Sequence, residues 1–226
     1  MGPILISFSG IDGAGKSTQI QQLKDHLAEA GIPVRGLAFW DDVVLWSRLR
    51  SEFSKRILQS DGEIGTPDRP SERRDKNVQS WPLLLIRGLL YVGDTLSLRR
   101  VIRKAKSETA GVVIFDRYIY DQLAALPLHS RVARGFARCL LKLAPALDIS
   151  YVLDAVPEQA RARKPEYPLE FLKQYRNSYL ALRDLARLEL IPAGSAEDVH
   201  SAVVNRLQQY TMNGAGDPKL GSAVIA

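Results

Sequence analysis

The sequence predicts an α/β domain: a five-stranded parallel sheet with helices on both faces and a short lid. Three observations carry this expectation. Short runs rich in β-branched residues alternate with longer segments of helical periodicity, the pattern of a parallel sheet covered on both sides. The short runs are apolar almost throughout, as strands buried on both faces are. The chain has 226 residues, 46% of them apolar and 25% charged, which suits one such domain and is short for two.

Pro3–Ser9 reads as the first strand, and it ends in a glycine-rich turn. Lys16–Ala30 follows as a helix, with Ile20, Leu23 and Leu27 on one face and Gly31 and Pro33 as its stop. Val34–Trp40 is a second strand, after which Asp42 is placed to cap a helix beginning near Val43. Ser60–Asn77 is rich in Pro, Gly and charge and reads as a mobile loop over about residues 60–78. Trp81–Lys106 is a long helix, Val112–Phe115 a third strand ending at Asp116, and Tyr118–Ala144 a helical stretch broken near Pro127. Asp148–Leu153 is a fourth strand, Arg161–Pro168 a basic connector, and Leu169–Leu188 a helix. Glu189–Pro192 is a fifth strand and Ala196–Tyr210 the closing helix. The domain is therefore expected over residues 1–212, with a loose tail over 213–226.

The turn after the first strand reads Gly10-Ile-Asp-Gly-Ala-Gly15-Lys16-Ser17, which matches G-x-x-x-x-G-K-[ST] between a strand and an amphipathic helix. Glycines there let the backbone curl so that successive N–H groups face a phosphate, and the helix start adds the positive end of its dipole. This is the phosphate loop of a three-layer P-loop NTPase fold. Gly10, Asp12, Gly13, Ala14, Gly15, Lys16, Ser17 and Thr18 form the expected ATP-binding set, with Lys16 on the β- and γ-phosphates and Ser17 on Mg²⁺. No Asn/Thr-Lys-x-Asp sequence for reading guanine occurs, which argues against a GTPase.

Asp116 stands at the tip of the third strand, where a carboxylate would hold Mg²⁺ beside Ser17 or, alternatively, cap a helix. Arg117 follows it, with a planar fork suited to a phosphate on the acceptor. Arg161, Arg163 and Lys164 lie in the basic connector, which reads as a lid over about residues 158–168 or as a solvated turn.

The net charge of +6 and pI near 9.5 suit phosphate-bearing ligands and also nucleic acid. With no lysine-rich tail and no Cys/His finger spacing, nucleic acid is not expected as a partner. The single cysteine, Cys139, lies in an apolar stretch and is expected to be buried; one cysteine forms no internal disulfide, which fits a reducing compartment. Neither a signal peptide nor a membrane span is expected, so the chain should be soluble and cytoplasmic.

Three blocks, FSGIDGAGKSTQ at Phe8–Gln19, FDRYIYDQLA at Phe115–Ala124 and LDAVPEQARARKPEYPLEFLKQYRNSYLAL at Leu153–Leu182, resemble the thymidylate kinase family of P-loop nucleoside monophosphate kinases. The resemblance runs from Ile4 to about Tyr210. It implies ATP with Mg²⁺ and phosphoryl transfer to a nucleoside 5′-monophosphate, dTMP by family. By the same resemblance Asp12 contacts the acceptor's sugar and Arg117 its phosphate, while Trp40, Tyr91 and Tyr118 fall on the acceptor side. Some members carry a catalytic Arg in the phosphate loop; here that position is Gly13, which leaves Arg161 or Arg163 of the lid to supply the charge. The family also implies a homodimer, for which the apolar face of Trp81–Leu98 could serve.

The chain departs from the family at two places. Ala38-Phe-Trp-Asp-Asp42 stands where an Arg-Glu-Pro-Gly-Gly loop is usual, and Thr95 stands near the position of the Arg that contacts thymine. Two other readings stay open. Asp41 and Trp46 have the acidic-x₄-Trp spacing of nucleoside kinases, whose carboxylate takes a hydroxyl proton, although the pair also suits a helix start and a core tryptophan. A nucleotide-binding regulator without turnover, or a kinase of another small phosphorylated metabolite, would use the same loop.

Overall fold

This computed structural model describes residues 2–44 and 81–212, with side chains of the long helix from Gly88 onward. The expected loop at 60–78, the tail at 213–226 and Trp46 lie outside the described residues. The elements run in the order β1 (Ile4–Ser9), α1 (Lys16–Glu29), β2 (Val34–Ala38), α2 (Trp81–Glu108), β3 (Val112–Asp116) and α3 (Ile119–Leu123). They continue with α4 (Arg131–Leu143), β4 (Ile149–Asp154), α5 (Pro157–Arg163), α6 (Leu169–Leu182), β5 (Glu189–Pro192) and α7 (Ala196–Tyr210).

The five strands form one parallel sheet in the order β2-β3-β1-β4-β5. Every residue of β1 is buried, and the period of two sends alternate side chains to opposite faces. Ile4, Ile6 and Phe8 join Val112 and Ile114 of β3 under α1 and α7, through Ile20, Leu23, Leu27, Val203 and Leu207. Leu5 joins Val113 and Phe115 on the other face, against Leu98 and Ile102 of α2, Leu140 of α4 and Leu172 of α6. Leu23 of α1 is fully buried, so Leu23→Ala is expected to cost about 3 kcal/mol, read as a lower midpoint in chemical denaturation at unchanged slope.

The sheet order also locates a crevice. The chain leaves β1 for β2 on one side and leaves β3 for β4 on the other, although β1 and β3 are neighbours. Ligands of open α/β sheets bind at the carboxyl ends of strands at such a reversal. Here the reversal puts the turn after Ser9 beside the tip of β3, with Phe8 in register with Asp116.

Several boundaries differ from the sequence expectation. β2 stops at Ala38, and Phe39–Val43 forms a single wide π-type turn. Asp42 lies inside that turn, where its Oδ2 accepts the Ala38 N–H at 2.6 Å, and the chain beyond Val44 lies outside the described residues. α6 ends at Leu182, because the chain must turn to bring Leu188 into the core before β5. The basic stretch is only partly a connector: Pro157–Arg163 is a helix, with Pro157 in its first turn, where a missing N–H costs nothing. Cys139 is exposed, since α4 buries Ala137 and Leu140 and turns position 139 away from the sheet. Among the described residues, no helix is long and apolar enough to cross a membrane.

Candidate active site

The turn after β1 is built on three glycines with positive φ: Gly10 at 140°, Gly13 at 81° and Gly15 at 86°. Two of these positions are also sterically closed. A Cβ on Gly10 would meet the Leu153 carbonyl oxygen at 2.7 Å, and one on Gly13 would meet the Ala160 carbonyl oxygen at 2.2 Å. Among the described residues, chain neighbours aside, nothing lies within 4 Å of a Cβ built on Gly15, so that part of the curl is open. Lys16 opens α1 and folds back over the turn, its Nζ donating to the carbonyls of Gly10 at 3.0 Å and Ile11 at 2.9 Å. Ser17 and Thr18, at the exposed start of α1, face the solvent.

Lys16 is 7% exposed. Burial, helped by the neighbouring charge of Arg117, lowers its pKa from the usual value to about 8. Asp12 lies between the two cations: its Oδ1 is 4.0 Å from Lys16 Nζ and accepts a hydrogen bond from Arg117 Nη2. Burial pushes the Asp12 carboxyl up, but Arg117 and then Lys16 outweigh it and hold the pKa below the ordinary range.

Arg117 is the only non-glycine residue with positive φ among the described residues, at 69°. Its main-chain N–H donates to the Phe8 carbonyl at 2.9 Å, which ties the tip of β3 to β1. Burial disfavours its charge, yet the carboxylates of Asp121 and Asp12 overcome that and hold its pKa above the ordinary arginine range.

The sequence reading missed Asp121. This side chain is 1% exposed and accepts hydrogen bonds from β1, from the turn after β3 and from α6. Oδ1 accepts from Arg117 Nη1 at 2.7 Å and from the Tyr179 hydroxyl at 2.7 Å. Oδ2 accepts from the Ser9 hydroxyl at 2.7 Å and from the Tyr118 N–H at 3.3 Å. The Tyr175 hydroxyl donates to its main-chain carbonyl at 2.6 Å. The visible signal was an acidic residue four positions after Arg117, across the turn that leads into α3.

α5 sits on the phosphate loop. Arg163 Nη1 donates to the Gly13 carbonyl at 3.2 Å, and Ala160 occupies the space where a side chain on residue 13 would go. Arg161 is half-buried on the same helix, and Lys164 lies near enough to help lower the Asp12 pKa. Asp116 is half-buried at the end of β3 and contributes to the charge environment of Lys16.

The expected acceptor-side residues divide. Trp40 is 41% exposed in the turn after β2, its ring edge-on to Phe39. Tyr91 is buried on α2 and close enough to influence Tyr175. Tyr118 differs from the expectation. Its ring packs in the core against Phe39, Phe115 and Tyr120, and its hydroxyl donates to the Pro145 carbonyl at 2.7 Å, so its main chain and not its ring belongs to the site. Thr95 is buried and donates to the Tyr91 carbonyl at 2.7 Å.

No family model matches the chain. It does resemble the probable thymidylate kinase of Methanosphaera stadtmanae, 24% identical over 213 residues that cover 91% of this chain and 97% of that protein. The probable thymidylate kinase of Archaeoglobus fulgidus is 26% identical over 215 residues, covering 92% and 96%. The thymidylate kinase of Chlorobium phaeobacteroides is 25% identical over 236 residues, covering 91% and 95%. In each case the likeness covers at least 91% of this chain and 95% of the relative. With the parallel sheet and its phosphate loop, the chain is similar to thymidylate kinases along nearly its whole length.

Proposed function

We propose that the protein transfers the γ-phosphoryl group of ATP, with Mg²⁺, to a nucleoside 5′-monophosphate, dTMP in the first instance. The observation that carries this reading is the placement of two cations at one crevice. Lys16 stands over the loop after β1 and Arg117 at the tip of β3, joined through Asp12. One cation serves the donor's phosphates and the other the acceptor's, which is the arrangement a transfer between two phosphate-bearing molecules needs.

The residues present fit these ligands. The amides of Gly13–Ser17 and the ammonium of Lys16 would hold the ATP phosphates, and the exposed Ser17 with the half-buried Asp116 would hold Mg²⁺. When bound, the nucleotide supplies the group transferred and the metal offsets its charge. The chain's own work is positioning. Arg163 brings a guanidinium to Gly13, and α5 covers the loop against water. Two of the five N–H groups of Arg117 are engaged by Asp121 and Asp12, which leaves three for an acceptor phosphate.

Product analysis with ATP and Mg²⁺ tests the reading. A new nucleoside diphosphate from dTMP supports it. A monophosphate made from thymidine supports the nucleoside kinase alternative, and no product from any nucleoside or monophosphate refutes both. The same reading includes a cytoplasmic enzyme and a homodimer through α2, where Leu89 and Leu96 are 74% and 46% exposed; sedimentation equilibrium reads the dimer directly.

The lowered pKa of Lys16 gives a pH dependence. The protonated amine is the form that attracts phosphate, and it is lost above about pH 8 and not near the usual 10.5. The dissociation constant for ATP is therefore expected to be flat below pH 8 and to rise by up to about tenfold per pH unit above it. Calorimetry across pH 6.5–9.5 checks this, and proton uptake on binding should appear only on the alkaline side.

A further inference from the structure

We infer that Asp121 is a positioning residue for the acceptor phosphate, acting through Arg117, with the Tyr179 hydroxyl fixing the carboxylate in turn. The inference rests on the reading of Arg117 given above and adds residues that neither the motifs nor the relatives assign.

The argument starts from the backbone. Arg117 is held in a left-handed conformation that L-residues adopt at a cost, so its side chain leaves the strand tip at an unusual angle. A long side chain starting there needs an external constraint to hold one orientation. Asp121 and Asp12 supply it from two sides, each binding a different terminal nitrogen. Asp12 is 21% exposed on the glycine turn, whereas Asp121 is 1% exposed. Asp121 is the fixed partner: Ser9 of β1, the turn at Tyr118, and Tyr179 of α6 all donate to its two oxygens.

Tyr179 is locked as well. It ends a row of rings on one face of the chain, Tyr167, Phe171, Tyr175 and Tyr179, spaced by four residues, with centroids 5.1, 5.3 and 5.3 Å apart in succession. Tyr167 belongs to the five residues joining α5 to α6, so the row links the lid connector to the carboxylate that holds Arg117. Burial keeps both the Tyr175 and Tyr179 phenols protonated well above the usual range, so they remain donors throughout the working pH range. A carboxylate this deeply buried is normally paired with a cation. Here the cation is the residue that points to the acceptor.

The test compares Asp121→Asn and Tyr179→Phe with wild type, and repeats each in an Arg117→Ala background. Asp121→Asn is expected to raise KM for dTMP by about tenfold or more with KM for ATP within twofold, and Tyr179→Phe to raise it about fivefold. In the Arg117→Ala background both substitutions should change kcat/KM for dTMP by less than twofold, because the residue they act through is gone. Full additivity, or equal changes in the two KM values, overturns the inference. Tyr179→Phe keeps the ring row intact and serves if Asp121→Asn does not fold. A substrate-free readout separates this inference from the reading of the reaction. The guanidinium N–H resonances of Arg117, assigned by their loss in Arg117→Lys, should be protected from exchange in wild type and unprotected in both variants. Protection that persists in both variants refutes the inference even if dTMP is phosphorylated. Loss of protection in a protein that makes no dTDP upholds the positioning and refutes the substrate.

Discussion

Lys16→Ala should lower kcat by about 10³-fold, the scale seen when one preorganised donor is removed from a site of charge development, while the protein stays folded. The geometry explains both halves. The Lys16 amine closes over the turn after β1 and is the one cation aimed into it from α1. Removing it leaves the amides of the curl but deletes the charge that would draw off electron density from the leaving phosphates. The fold should not suffer, because burying an ammonium is itself costly. Its pKa in the folded chain is about 8, below the value of 10.5 for a solvated lysine, so the unfolded chain binds more protons between those values. Wild-type stability therefore rises with pH across that window, and the cost of Lys16 is fully present below about pH 8. The variant lacks this cost. Thermal melts should favour Lys16→Ala most at pH 7, and the advantage should shrink by pH 9.5. A variant with near-normal turnover would contradict the role of the loop, and one that melts far below wild type would contradict the electrostatics.

Gly13→Ala is expected to lower kcat by about 10²-fold, which is what an ångström of misplacement costs at an active site. The smallest possible side chain meets two obstacles there. The backbone stands at φ 81°, which costs an alanine roughly 1–2 kcal/mol. The new methyl group would also lie 2.2 Å from the Ala160 carbonyl oxygen, a contact that main chain cannot relieve by rotating a side chain. Either the loop or α5 must move, and Arg163 moves with α5. Steady-state rates at saturating ATP and acceptor read the loss, and amide exchange at α5 should rise in the variant. Unchanged exchange with normal turnover would show that the lid helix does not rest on the loop. The same contact means that an arginine at position 13 would not fit this seating of α5, which supports the proposal that α5 supplies that charge.

The sequence made the phosphate loop legible because its chemistry is local. Glycines at 10, 13 and 15 and a lysine at the start of a helix have meaning at fixed offsets, and the structure shows positive φ at each glycine. β5 and α7 were equally readable, since Ser195 and Asp198 form a reciprocal cap that marks the start of α7. The end of α6 was not, because Leu182, Leu185 and Leu188 continue the apolar spacing with no glycine or proline to stop it. The lid helix was half legible: the cations were noticed, but Pro157 as a helix start was not. Asp121, Tyr175 and Tyr179 could not be assembled from the chain at all. Their meeting depends on β1, α3 and α6 converging, and a separation of 58 residues between Asp121 and Tyr179 has no local signature. Tyr118 shows the reverse error. Its place beside Arg117 suggested the site, while the pleat and the turn directed its ring to the core.

The sheet order has a consequence for how the protein is made. Ile4 pairs with Val112 and Ile6 with Ile149, so the first strand to leave the ribosome finds neither neighbour until much of the chain has followed. The interval from Ile4 to Val112 is 108 residues (112 − 4), on the order of ten seconds at roughly 5–20 residues per second. Throughout that wait a largely apolar nascent segment, together with the glycine turn it carries, has α1 to pack against but no strand to pair with. Non-local pairing of this kind slows folding and prolongs the exposure of apolar surface on the emerging chain.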